Sequence, residues 1–266
     1  MDKAKLPFVY VVLTVLTGLL SKVEGLAFLS LGISLFVPAL YYAVLEKHGC
    51  LFSFLLTVFT LGLLFPFAGL RTTVDVASLP VLGYLLFLFK SRKPHEILLL
   101  LSSVLFAFAL LEELFFGIPR VSGLNWFYGV RWGFYLASSL FFSYLTLLFT
   151  SFVLRRDFGT EKVDFGFYPV FLFLIGGFGS LILKGVLKTA ALNVLSVSFG
   201  FLLVQGLSVG LFLLKKASFL WRILLLLGFL ILPLGVFLVA VVLGLLDLWF
   251  DFRKLKGGKR DGSDFA

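Results

Sequence analysis

Glu112 and Glu113 stand side by side in Leu110-Leu111-Glu112-Glu113-Leu114-Phe115-Phe116-Gly117, the one place where two acidic residues are adjacent. Paired carboxyls can activate water, but only beside a group that takes up the proton or holds the developing charge. The chain has two histidines, His48 and His95. Both fall in loops that the charge pattern places on the side opposite the glutamates, so no acid–base set forms and no catalytic residue is assigned. Neither histidine has a second histidine or a cysteine at ligand spacing, which gives no basis for a metal site. A phosphate-cradling Gly-Lys-Ser/Thr loop, a dinucleotide glycine fingerprint and a nucleophile elbow are all missing from the sequence, and it implies no cofactor.

The paired glutamates resemble a motif of intramembrane CAAX-type proteases. In those enzymes an arginine follows the pair, where this chain has Phe115 and Phe116, so an intramembrane enzyme is the least favoured reading. The remaining candidates are polar groups that would be costly in hydrocarbon. Gln205 and Asn193 lie within apolar runs, and Arg71, Asp75, Glu112 and Arg131 lie within a turn or so of span ends. These six are the solute-binding candidates, the charged four forming either a shallow polar mouth or an ordinary solvated rim. Gln205 adjoins Gly206, and Gly206 with Gly210 makes a G-x-x-x-G face at which two helix backbones approach closely. For Gln205 the helix-seam reading leads the ligand reading.

The elements that must position these groups follow from composition. Hydrophobic residues make up 61% of the 266 and charged residues 14%, against roughly 25% charged in a soluble domain. Apolar runs cover about 7–20, 26–45, 51–70, 74–89, 97–116, 132–154, 165–183, 190–214 and 223–246, and a helix needs roughly 20 apolar residues to span a bilayer. They lack the two-residue alternation of barrel strands, so the expected fold is all-α, a polytopic transmembrane helix bundle of eight or nine spans. Lys3 with Lys5, Lys90 with Arg92 and Lys93, Arg155 with Arg156, and Lys215 with Lys216 fall in alternate loops. That places the N-terminus in the cytoplasm of a bacterial inner membrane. The basic tail should also lie inside, which favours eight crossings. The net charge of +9 therefore meets lipid headgroups, and nucleic acid is not an expected partner. Pro38, Pro66, Pro80, Pro169 and Pro233 mark expected kinks. The segment 117–130 reads as a short helix on the outer surface, and Gly176, Gly177 and Gly179 as a tight contact. Cys50 is the only cysteine, so no intrachain disulfide can form.

The C-terminal third carries the most specific pattern. Leu202-Leu203-Val204-Gln205-Gly206-Leu207-Ser208-Val209, then Lys215-Lys216, then Gly244-Leu245-Leu246-Asp247-Leu248-Trp249-Phe250-Asp251-Phe252-Arg253-Lys254 resembles the closing signature of the YybS-like family of bacterial multispanning membrane proteins. That family is in turn distantly similar to substrate-binding subunits of energy-coupling-factor vitamin transporters. The resemblance implies a small-solute binding or transport subunit that partners a transporter energising module. Physically, Asp247 and Asp251 share one helical face ahead of Arg253, a C-terminal latch at the bilayer surface. The expected organisation is one transmembrane domain over 1–256 and a polar, disordered tail over 257–266. The alternative is a membrane scaffold that binds envelope or membrane proteins through helix faces and the basic C-terminus.

Overall fold

The apolar runs become helices because a backbone in hydrocarbon must satisfy its own N–H and C=O groups within the segment. In the computed structural model, which describes residues 5–23, 25–118, 125–216 and 233–250 with the single positions 218 and 252, there is no strand among the described residues. The helices are α1 (Lys5–Leu20), α2 (Ala27–Ser34), α3 (Val37–His48), α4 (Cys50–Leu88), α5 (Pro94–Phe116), α6 (Asn125–Leu154), α7 (Tyr168–Ile182), α8 (Gly185–Lys216) and α9 (Pro233–Phe250). A 3₁₀ turn, Thr160–Lys162, precedes α7. Among the described residues five stretches are long and apolar enough to cross a membrane: Ala27–His48, Cys50–Leu88, Pro94–Phe116, Phe127–Leu154 and Gly185–Lys215. Large apolar side chains face outward along them, Phe28, Phe67 and Phe152 among them, each more than three-quarters exposed. Water tolerates no such surface at this density, and lipid does.

The chain divides into two units. The first comprises residues 1–123 and 142–158, the second 124–141 and 159–266, so α6 contributes its opening half to one and its closing half to the other. In the first unit α1 and α3 bury Leu6, Tyr10, Val37, Leu40, Tyr41 and Val44 together. The Tyr10 hydroxyl is 3.0 Å from Thr57 Oγ1 on α4, so this hydroxyl is satisfied inside an otherwise apolar core. In the second unit α7 and α9 both pack on α8. Glycines set their closeness: a Cβ at Gly176 would sit 2.6 Å from the Leu195 nitrogen, and one at Gly206 would overlap the Ala240 carbonyl oxygen.

Three expectations change. The runs 51–70 and 74–89 are not separated by a loop; Arg71 and Asp75 are helical residues of α4. A straight helix of its 39 residues would be roughly 58 Å long, twice the hydrocarbon thickness. The chain instead breaks at Gly69 (φ 76°, ψ 171°), a backbone conformation essentially restricted to glycine. Leu64 and Ala68 before the break and Val76 after it bury in one cluster, with Val15 of α1, Leu61 and Leu79 against them. The prolines did not predict this: Pro66 and Pro80 lie within α4, while Pro38 and Pro169 sit at helix starts, where a missing N–H costs nothing. Second, the run 26–45 is divided, the chain tightening where Phe36 N–H donates to the Ile33 carbonyl at 3.0 Å. Third, residues 125–130, expected in a separate surface helix, open the long helix α6. Of the three clustered glycines, Gly176 and Gly179 make the close approach to α8, whereas Gly177 faces open space.

Candidate functional site

The first unit brings Arg71, Asp75 and Glu112 together. Gly69 turns the chain so that Arg71 and Asp75, one helical turn apart, open the second half of α4. Glu112 comes from the last turns of α5. Arg71 Nε donates to Glu112 Oε1 at 2.6 Å, and a second guanidinium nitrogen pairs with the same oxygen. Glu112, Arg71 and Lys22 are the charged groups that face Asp75, and the two carboxyls are within hydrogen-bonding reach of each other. Because α5 is one continuous helix with His95 in its first turn, its rise holds His95 about 26 Å from Glu112.

Beside this cluster is a shallow, widely open cavity of about 290 Å³, just below the roughly 300–1,000 Å³ of ligand pockets. Its polar lining comes from Thr17 and Ser21 of α1 and the loop after it, Ser30 and Ser34 of α2, and Thr72 and Asp75 of α4. Leu31, Val76 and Leu79 form its apolar wall. Four of the hydroxyls have their protons committed to backbone carbonyls: Thr17 to Leu13 at 2.8 Å, Ser21 to Gly18 at 2.8 Å, Ser30 to Thr17 at 2.7 Å and Ser34 to Leu31 at 2.7 Å. The bond from Ser30 ties α2 to α1; the others are local.

The other predicted residues lie in the second unit, with different roles. Asn193 joins α8 to α6. Its side-chain oxygen accepts from Gly133 N–H at 2.7 Å, and its amide donates to the Gly129 carbonyl at 2.8 Å and to Thr189 at 2.9 Å. Gly133 N–H and Gly129 C=O are the two partners of one α-helical rung, so the carboxamide bridges that rung as a peptide would. The glycines let α8 come this close, since a Cβ at Gly133 would collide with the Asn193 backbone. Arg131 bonds the Tyr128 carbonyl and lies 5.0 Å over the Trp132 ring.

Gln205 and Asp247 are both buried, and Gln205 Nε2 approaches Asp247 Oδ2 at 3.5 Å. The other Asp247 oxygen accepts from Phe252 N–H at 3.1 Å, closing the end of α9. Gly206 meets Ala240 and Gly244 of α9, while no described residue lies within 4 Å of a Cβ at Gly210; the expected G-x-x-x-G contact is a Gly206–Gly244 contact. Asp251 and Arg253 of the predicted latch, and the tail 257–266, lie outside the described residues.

Sequence reasoning passed over the hydroxyls. Thr17 with Ser21, and Ser30 with Ser34, are each four apart and share a helical face, a spacing that was there to be read. It also missed Arg156, whose guanidinium donates to the Tyr42 hydroxyl at 2.8 Å and to Glu46 at 2.7 Å. The Glu46 hydrogen bond raises the Arg156 pKa above its already high ordinary value, so the cation is permanent. Among the described residues no group of three or more His, Cys, Asp or Glu could hold a metal ion. Comparison with protein-family models, curated proteins and solved structures returns no match for the chain, and the reading of its site rests on its own residues.

Proposed function

We propose that this chain is a small-solute binding subunit of a bacterial inner membrane, with eight crossings, its N-terminus in the cytoplasm and its binding site at the outer end of the first unit. The observation that carries the proposal is the 290 Å³ cavity with hydroxyls and Asp75 on its polar side and Leu31, Val76 and Leu79 on its apolar side. A few placed polar groups within an apolar wall are what a solute site needs for orientation and affinity. Two interrupted stretches build it: the tightening after α2 and the break at Gly69. Interrupted spans recur at transporter binding sites because they release backbone and side chains from lipid-facing regularity. The resemblance of the C-terminal segment to the YybS-like family supports the same reading, with an energising module as the partner that would supply nucleotide-driven transport. The scaffold alternative is less supported, because the Gly206 face is covered by α9 of the same chain.

The test is thermal stabilisation of the purified full chain against vitamins, cofactor precursors and central metabolites, repeated on Ala27→Trp. Ala27 is exposed and lines the cavity, so the indole fills space without entering the core. A solute at a hundredfold its Kd stabilises by about 2.7 kcal/mol. The expected result is a solute that stabilises the native chain and not the variant. Stabilisation by none, or equal stabilisation of both, rejects the reading.

A further inference from the structure

We infer that the cavity among α1, α2 and α4 takes an organic cation, a primary ammonium group on a small apolar body, with Asp75 as its counter-charge. The inference rests on the solute-binding reading above and adds the class of solute. Its basis is the imbalance between donors and acceptors around the cavity. A hydroxyl that has given its proton to a carbonyl can offer a ligand only lone pairs. Thr17, Ser21, Ser30 and Ser34 are all in this state, and Asp75 adds a carboxylate. Against these acceptors, among the described residues, only the Thr72 hydroxyl remains as a side-chain donor in the lining, which holds no described lysine, arginine or histidine. On the cavity's polar side an anionic head group would meet Asp75 and hydroxyl lone pairs with no cationic side chain among them; an ammonium, with three donors and no acceptor, matches that side.

Charge points the same way. Asp75 and Glu112 lie within hydrogen-bonding reach of each other, and two carboxyls so placed need a proton or a cation between them. Arg71 is directed to Glu112, with two of its nitrogens on one oxygen. Lys22 is exposed and absent from the cavity wall, so its field at Asp75 is screened by solvent. A ligand ammonium would place a cation at contact distance from Asp75, where a proton would otherwise serve. A bare sodium or potassium ion would accept the same oxygens, but a cavity of about 290 Å³ with Leu31, Val76 and Leu79 along one wall is far larger than an ion. The apolar wall is where a hydrocarbon body would bury area.

The experiment measures affinity of the purified full chain for three skeletons, butyl, cyclohexylmethyl and 4-hydroxyphenethyl, each carrying an ammonium, a hydroxyl or a carboxylate head group. Sodium chloride replaces choline chloride in a parallel arm. The expected order is ammonium over hydroxyl over carboxylate by at least tenfold at the first step, with the ammonium preference lost in Asp75→Asn and all binding lost in Ala27→Trp. Asp75 is exposed on the cavity rim, so the amide leaves the fold intact, as equal unfolding temperatures without ligand would show. Equal or stronger binding of the alcohol or the acid, ammonium binding unchanged in Asp75→Asn, binding of sodium alone that Asp75→Asn removes, or no binding by any of the three amines each overturns the ammonium assignment. The wider solute-binding reading stands in those cases if some other solute still stabilises the native chain and not Ala27→Trp, and falls with the assignment if none does.

Discussion

At the scale of single residues the helix junctions turn on one carboxamide. Asn193 bonds both groups of an α6 rung, Gly133 N–H and Gly129 C=O, and so needs a donor and an acceptor on the same side chain. Asn193→Ala removes the bridge but lets the α6 rung close on itself, so the loss is that of two interhelical bonds at about 0.6 kcal/mol each, or about 1 kcal/mol in all. Asn193→Asp keeps the size and loses the donor, setting a carboxylate oxygen against the Gly129 carbonyl. The repulsion makes it the worse variant, by roughly a further 1 kcal/mol. Unfolding of the purified chain should therefore rank native above Ala above Asp; Asp equal to native would remove the bridge from the account. Polarity within a span marks a ligand contact and a helix clamp alike, so residue type alone does not separate them. Asn193 and Gln205 are directed at neighbouring helices, whereas Arg71 and Glu112 pair beside a cavity that Asp75 lines.

At the scale of elements, glycines decide which helices touch, and the contacts separate them cleanly. Gly206→Ala places a methyl on the Ala240 carbonyl and should destabilise by about 1–3 kcal/mol, the range for overpacking. Gly210→Ala, with no described residue within 4 Å of the added methyl, should be neutral or stabilising by up to about 1 kcal/mol through helix propensity. Gly69→Ala also has open space, yet its positive φ should cost about 1–3 kcal/mol. Three thermal unfolding curves check all three, and similar behaviour of 206 and 210 would show that the helix seam is loose. The apolar runs made the helices themselves legible, because an unbroken run of hydrocarbon has one way to satisfy its backbone. What stayed hidden was how they join. The sequence around Arg71 and Asp75 carries loop-like charge, but the chain keeps its helical bonds up to a single glycine and resumes them at once. Likewise the G-x-x-x-G spacing located one true contact residue and one idle one, since the partner helix decides which glycine is met.

At the scale of the molecule the question is which side of the membrane each end of the first unit faces. One end carries Lys22, Arg71, Asp75 and Glu112; α5 runs from there to Arg92 and Glu96, an i,i+4 pair 3.9 Å apart in the loop and first turn at the other end. Exposed ion pairs contribute little to stability, so this polarity matters for insertion rather than for folding. Basic loops are retained in the cytoplasm, which predicts that the end bearing Lys90, Arg92 and Lys93 is inside and the cavity faces outward. The native thiol reports on it directly. Cys50 is exposed and starts α4, the chain's return from the end that holds Glu46. A membrane-impermeant maleimide should leave it unlabelled in intact spheroplasts and label it after permeabilisation. In a Cys50→Ser background, Lys22→Cys and Glu113→Cys should be labelled in intact spheroplasts and Lys90→Cys protected. Protection of Ser263→Cys would establish an even number of crossings, and its labelling an odd one. Labelling of Cys50 in intact spheroplasts, with Lys22→Cys protected, would invert the orientation and turn the cavity toward the cytoplasm, where its solute would have to be one the cell makes rather than one it collects.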